Sequence, residues 1–175
     1  VSSSAASDVY KRQEEVRDGG RRHKGFRKYG EDIRFLANGP GFLALSGGLL
    51  VSGLAGRDKE IETLKILLES SAIGYGMTAG LKYTFGRGRP KRHSRYDFDP
   101  FSGDFSMPSG EASHAFVMAT VMAERYPNWP VRIASYGLAT AAAVGRVGKE
   151  DHWTSDVFVG AVVGTFVAHS VVKLH

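Results

Sequence analysis

Three short clusters hold the residue types that phosphoryl transfer through a histidine requires. They are KYTFGRGRP at residues 82–90, PSG at 108–110 and RVGKEDHWTSD at 146–156. Fixed cations can neutralise a phosphate, the first N–H groups of a helix can bind its oxygens, and an imidazole can attack its phosphorus. The three clusters are therefore predicted to form one anion site with a nucleophile in it.

The cations of this site are predicted to be Lys82, Arg89 and Arg146. An arginine presents a planar fork that can hold two phosphate oxygens, whereas a lysine acts as a point charge. The alternative for the first cluster is an ordinary solvated basic loop, since Arg87 and Lys91 are close by in the sequence.

Ser109 and Gly110 are predicted to begin a helix. Serine is a favoured N-cap, and the first N–H groups of a helix have no partner within the helix. Those donors and the helix dipole favour a bound anion, and Gly110 would let the backbone approach it closely. Simple helix capping is the alternative interpretation of this cluster.

His152 and Asp156 are predicted to be the nucleophile and its orienting carboxylate. They lie four residues apart, so a helix or tight turn could bring the carboxylate to Nδ1 and leave Nε2 free for attack. Arg146 would clamp the same phosphate from the end of the preceding helix. A surface histidine near a helix cap is the alternative.

The elements that must position these residues are helical. Apolar spacing and turn signals predict helices, and no strand pattern stands out. The fold class is therefore all-α, a bundle of five to six helices, and a long loop carries Arg89. The predicted helices span residues 41–55, 59–83, 109–125, 130–146 and 154–173.

Composition restricts the possible partners. The 175 residues include no cysteine, which excludes disulfides and thiolate metal sites. The net charge is +5, and much of the excess lies in residues 11–28 and 82–95, of which the second segment flanks the predicted anion site. This placement favours a phosphorylated substrate or an anionic membrane over nucleic acid. The last apolar run, residues 157–172, is shorter than the roughly 20 residues of a typical span, so membrane embedding stays open.

The three motifs in this order resemble the type-2 phosphatidic acid phosphatase superfamily, which also includes class A acid phosphatases and vanadium haloperoxidases. The resemblance covers roughly residues 35–172. It implies a helical bundle with the site at one end and no required metal or other cofactor, with vanadate as an inhibitor. It implies that His152 is the nucleophile and Asp156 orients it. It also implies phosphate binding by the cations and the PSG motif, namely Lys82, Arg89, Ser109, Gly110 and Arg146.

Two positions depart from the pattern of this superfamily. Gly145 replaces a serine before Arg146, and Glu111 stands where the superfamily has a histidine that protonates the leaving group. A carboxylic acid can do this work, although nearby cations favour its ionised form. We consider three alternatives, namely Glu111 as the acid, His114 as the acid, and no acid from the protein.

The resemblance implies a phosphomonoesterase or pyrophosphatase acting on a lipid phosphate or small phosphomonoester. The alternatives are a vanadate-dependent haloperoxidase, with vanadate as its cofactor, and an inactive relative that binds phosphate or a membrane. Residues 1–13 are expected to be a disordered or non-native leader, and residues 14–175 one phosphatase domain. A bacterial inner membrane with a periplasmic site and a soluble periplasmic location both remain open.

Overall fold

The computed structural model describes residues 39–91, 94 and 96–175. Within these ranges the chain forms five helices and no strand, which confirms the all-α prediction. The predicted leader at residues 1–13 and any sixth helix before residue 39 lie outside the described residues. The helices are α1 (Gly39–Leu54), α2 (Asp58–Phe85), α3 (Gly110–Arg125), α4 (Trp129–Gly148) and α5 (Thr154–Leu174).

Local sequence explains where these helices begin and end. The Asn128 side chain accepts the Val131 N–H at 3.0 Å and caps α4, whose first turn includes Pro130. Gly86 ends α2 in a left-handed conformation with φ 51°. A side chain at Gly86 would also meet the Asp99 carbonyl oxygen at 1.7 Å. Glycine is therefore required where the chain leaves α2 for the loop that carries the first cluster.

The core lies around α3, which packs against α2, α4 and α5. Burying these aliphatic side chains supplies most of the driving force for the bundle. Its largest cluster joins residues of α1, α2, α3 and α5, including Leu49, Ile66, Leu67, Val117, Val121, Val163 and Val167.

Two glycines let α5 approach α3 closely. A Cβ at Gly160 would lie 2.5 Å from the Ser109 carbonyl oxygen, and one at Gly164 would lie 2.1 Å from that of Ser113. Neither contact is sterically possible for another residue, so both positions need glycine. The close approach brings the start of α5 directly beside the start of α3.

The outer faces of the bundle carry many apolar side chains. Phe158, Val162 and Phe166 repeat every four residues on α5 and are 52–69% exposed. Among the described helices, α5 alone has the length and apolar composition of a membrane span, with a mean hydropathy of 1.8 in its most apolar window. Part of this helix, 39% of that window, is buried in the bundle.

Candidate active site

The three clusters meet at one end of the bundle. The first follows the end of α2, the second begins α3, and the third joins α4 to α5. Lys82, Arg89, Arg146 and His152 line one cavity of about 870 Å³, together with Gly110. Residues more than 60 positions apart in the sequence thus line the same cavity.

Lys82 is half-buried in the cavity wall, and its Nζ donates to the Phe105 carbonyl oxygen at 2.6 Å. Burial, followed by the charge of Arg89, lowers the Lys82 pKa from 10.5 to about 8. Asp156 and Glu111 act in the opposite direction. The charge of Lys82 therefore depends on pH within the range in which enzymes are assayed.

We expect phosphate binding to weaken as the pH rises through the Lys82 pKa of about 8. Lysine is charged below its pKa and neutral above it, so the attraction is present at neutral pH and lost in alkali. The measurement is kcat/KM against pH, which should fall about tenfold per unit on the alkaline side. Lys82→Arg should shift that limb of the profile to higher pH, because a guanidinium stays charged.

Lys65→Arg is the matched control, since Lys65 is an exposed lysine on the same helix. It should keep the wild-type profile. An alkaline limb that persists unchanged in Lys82→Arg would show that another group produces it.

The PSG segment begins α3 as predicted. The Ser109 hydroxyl is fully buried and accepts the Ala112 N–H at 3.4 Å, so it caps the helix. The Ser109 N–H donates to the Asp156 carbonyl oxygen at 2.8 Å. Gly110 lines the cavity and leaves the backbone of the first turn accessible there. Phosphate binding by Ser109 and Gly110 stays a prediction.

The hydrogen bond at His152 differs from the one that spacing suggests. Its Nδ1 lies 2.7 Å from the Ser106 carbonyl oxygen and 3.8 Å from Asp156 Oδ2. The backbone carbonyl oxygen thus accepts a hydrogen bond from Nδ1–H, which leaves the lone pair of the neutral ring on Nε2. The carboxylate is close enough to stabilise a positive imidazole, but not to hydrogen-bond with it in this geometry. The cause is that α5 begins after His152, at Thr154.

Asp156 is instead the centre of a buried network. It is fully buried and accepts from the Ser106 hydroxyl at 2.6 Å, the Trp153 N–H at 2.9 Å and Arg87 at 2.6 Å. Burial alone would raise the Asp156 pKa, but His152, Ser106, Arg87 and the Trp153 N–H together hold it below its ordinary value. Asp156 is therefore linked to His152 partly through Ser106, whose hydroxyl donates to Asp156 and whose carbonyl oxygen accepts a hydrogen bond from the imidazole.

Arg87 is the site residue that sequence reasoning missed. Spacing grouped it with a solvated loop, yet it is 5% exposed. Its guanidinium binds Asp156 and Ser155 and lies 5.3 Å from the Trp153 ring and 4.9 Å from the Phe98 ring. One weak signal in the sequence pointed to a fixed position for this side chain. Arg87 directly follows Gly86, the glycine that ends α2.

Both candidate acids line the cavity, and their surroundings differ. Glu111 is ion-paired with Arg146, which also pairs with Asp151 at 2.9 Å. The His114 ring contacts that of Phe42, with centroids 5.0 Å apart and the ring planes tilted by 54°. Burial lowers the His114 pKa below 6.5, so its neutral form dominates at pH 7. The protonated form that an acid needs is therefore scarce at His114.

Asp151 connects two loops beside the cavity. It binds Lys91 at 2.6 Å in addition to Arg146. Burial alone would raise its pKa, but the Lys91 hydrogen bond and the charges of Arg146, Lys91 and His152 lower it overall. Asp151 thus stays ionised and holds the loop after Arg89 against the loop before His152.

The profile of the PAP2 superfamily matches residues 63–175, which is more than half of the chain and includes all three clusters. The chain belongs to the PAP2 superfamily. This membership confirms the family predicted from the motifs.

Several known proteins are similar to this PAP2 chain. A lipid A 1-phosphatase of Porphyromonas gingivalis is 32% identical over 108 residues, which cover 58% of the chain and 22% of that protein. The chain therefore matches only about a fifth of the length of this relative.

Two solved structures share the fold. LpxE of Aquifex aeolicus has a TM-score of 0.75 at 22% identity, over 94% of each chain. A transmembrane PAP2-type phosphatidylglycerolphosphate phosphatase of Bacillus subtilis has a TM-score of 0.69 at 17% identity, over 99% of this chain and 87% of that one. These similarities support the fold of the PAP2 bundle.

The PAP2 site was expected to need no metal, and this stays a prediction. Within the part of the chain that the structure describes, no group of three His, Asp or Glu side chains is arranged to hold a metal ion. Three basic side chains face the cavity instead, and fixed cations can neutralise charge at a transferred phosphoryl group.

Proposed function

We propose that the chain is a metal-independent phosphatase that cleaves a phosphate ester or diphosphate of a lipid through a phosphohistidine on His152. The observation that carries this proposal is the single cavity that holds Lys82, Arg89, Arg146 and the His152 ring. Membership in the PAP2 superfamily and the similarity to a lipid A 1-phosphatase support the reaction class.

In the first step, the three cations bind the phosphate oxygens and place the phosphorus before His152 Nε2. The Nε2 lone pair forms a bond to phosphorus while the ester P–O bond breaks. The leaving oxygen takes both bonding electrons and then a proton from water. The Ser106 carbonyl oxygen accepts a hydrogen bond from Nδ1–H. The lone pair of the neutral ring is therefore on Nε2, the nitrogen that attacks phosphorus.

In the second step, water attacks the phosphorus of the phosphohistidine. The P–N bond breaks, its electrons return to Nε2, and inorganic phosphate leaves. During both steps the imidazole carries positive charge, which the Asp156 carboxylate at 3.8 Å stabilises. Arg87 binds the far side of this carboxylate and keeps it ionised.

A lipid substrate is favoured by the size and composition of the cavity. Its volume of about 870 Å³ is in the upper part of the range for sites that hold drug-sized ligands, about 300–1,000 Å³. Beyond the phosphate end, the wall consists mostly of apolar and small residues of α1, α2 and α3. They include Phe42, Ala72, Gly74, Ala79 and Val117.

Association with a membrane is part of the same proposal. Exposed apolar side chains cover the outer faces of α1 and α5, where Leu43, Val51, Leu54, Phe158 and Phe166 are 62–77% exposed. A surface this apolar is unusual for a soluble monomer. Lipid contact would bring the phosphorylated head group to the cavity at the end of the bundle.

The test is hydrolysis of a substrate panel by the purified protein in detergent with a metal chelator. Lipid A, phosphatidylglycerophosphate, phosphatidate and an aryl phosphate would be compared. We expect orthophosphate release, block by vanadate, and kcat/KM higher for a lipid than for the aryl phosphate. Vanadate-dependent halide oxidation without hydrolysis would support a haloperoxidase, and neither activity would indicate an inactive relative.

A further inference from the structure

The Glu111 carboxylate is bound to Arg146, one of the three cations predicted to bind phosphate. It pairs with Arg146 Nε, and both residues line the cavity beside His152. The Arg146 side chain is only 10% exposed, so it has few directions from which a ligand can approach. The Asp151 carboxylate binds the same guanidinium at another nitrogen, with Oδ2 2.9 Å from Arg146 Nη2.

The two carboxylates bound to Arg146 are held differently. Asp151 is also bound by Lys91 at 2.6 Å, which ties it to the neighbouring loop. Glu111 belongs to the first turn of α3, and its side chain is 29% exposed at the cavity. Glu111 is therefore the partner that an incoming phosphate can displace.

We propose that Glu111 competes with phosphate for Arg146 and thereby lowers the affinity of the cavity for phosphate groups. This inference rests on the proposed function of the cavity. Phosphate oxygens bind Arg146 only as the Glu111 carboxylate withdraws, and the carboxylate returns as orthophosphate leaves. Because the departing product is replaced by a charge already in the protein, the site releases orthophosphate easily and is weakly inhibited by it.

Substrate and product both have to displace Glu111 from Arg146. A substrate with an apolar group gains contacts along the α1–α2–α3 wall of the cavity, and these contacts offset the displacement of Glu111. Orthophosphate has no such group and must displace Glu111 with its charge alone. The ion pair therefore raises both Kd values by the same factor, and the apolar contacts alone let the lipid bind more tightly than orthophosphate.

The experiment is direct binding of inorganic phosphate to the purified protein, measured by calorimetry or phosphorus NMR without turnover. Glu111→Gln keeps the size of the side chain and removes its charge. We expect Glu111→Gln to bind phosphate with a Kd about fivefold to tenfold lower than wild type, as removal of one partly exposed ion pair would allow. Inhibition of hydrolysis by phosphate should strengthen by the same factor.

Glu69→Gln is the matched control. It changes the net charge equally, but Glu69 pairs with His175 at the end of α5. We expect its phosphate Kd to stay within about twofold of wild type, since distant exposed charges are largely screened. An equal gain of affinity in both variants would assign the effect to net charge and overturn the proposal.

The remaining outcomes distinguish this inference from the proposed function. Glu111→Gln that binds phosphate as weakly as wild type, while wild type hydrolyses lipid phosphates, would overturn the competition alone. Failure of both proteins to bind phosphate or hydrolyse the panel would overturn the phosphate site and the inference with it. A lower kcat restricted to alkyl substrates, with an unchanged phosphate Kd, would assign Glu111 to proton donation and overturn the competition.

Discussion

His152→Ala should lower kcat for a lipid phosphate by at least about 10⁴-fold, since removal of a nucleophile in other hydrolases costs that much or more. The remaining cations can still bind the phosphate, so the KM should change far less than kcat. No covalent intermediate should form. The measurement is turnover together with trapping of radiolabelled phosphate on the protein, quenched in alkali because phosphohistidine is labile in acid.

His169→Ala is the control for loss of a histidine elsewhere. Its Nδ1 lies 2.6 Å from Glu124, at the end of the bundle away from the cavity, and turnover should be near that of wild type. Retained activity in His152→Ala would eliminate the phosphohistidine mechanism. A labelled phosphoprotein in that variant would assign the nucleophile to another residue.

Arg87→Met should destabilise the protein by roughly 3–5 kcal/mol, because removing one partner of a buried ion pair leaves the other charge uncompensated. The remaining charge is Asp156, which is fully buried. The variant should also lose activity, since Asp156 and Ser106 together hold the His152 ring. Thermal unfolding followed by circular dichroism measures the first effect, and kcat measures the second.

Arg89→Met is the matched control for stability. Arg89 lies two residues further along the same loop, but it is exposed, and exposed substitutions usually change stability by less than about 0.5 kcal/mol. It should unfold like wild type while its KM rises. Equal stability of Arg87→Met and Arg89→Met would refute the structural role of the buried pair.

Most of the helical framework could be predicted because its signals are local. Asn-Trp-Pro before α4 and Pro-Ser-Gly before α3 are capping signals, and the observed helices begin within two residues of the predicted starts. The candidate site residues were found for a related reason. Their types and spacing follow the motifs of the PAP2 superfamily, and helix boundaries place them at one end of the bundle.

The hydrogen bonds around His152 could not be predicted in the same way. Sequence spacing suggested direct contact with Asp156, whereas Ser106, 46 residues away, accepts the Nδ1 proton. The burial of Arg87 depends on Asp156 and Trp153, more than 60 positions later. Contacts this distant are decided by how the loop after Gly86 folds back, and no local pattern records that path.

The meeting of Gly160 with Ser109 and of Gly164 with Ser113 has a consequence for fluctuations of the native state. The backbone at the start of α3 is in tight contact with α5, which carries Asp156. Transient opening of α5 would therefore move the proposed phosphate-binding residues of α3 and the network around His152 in one event. We therefore expect a partly opened molecule to be inactive, and not active with reduced specificity.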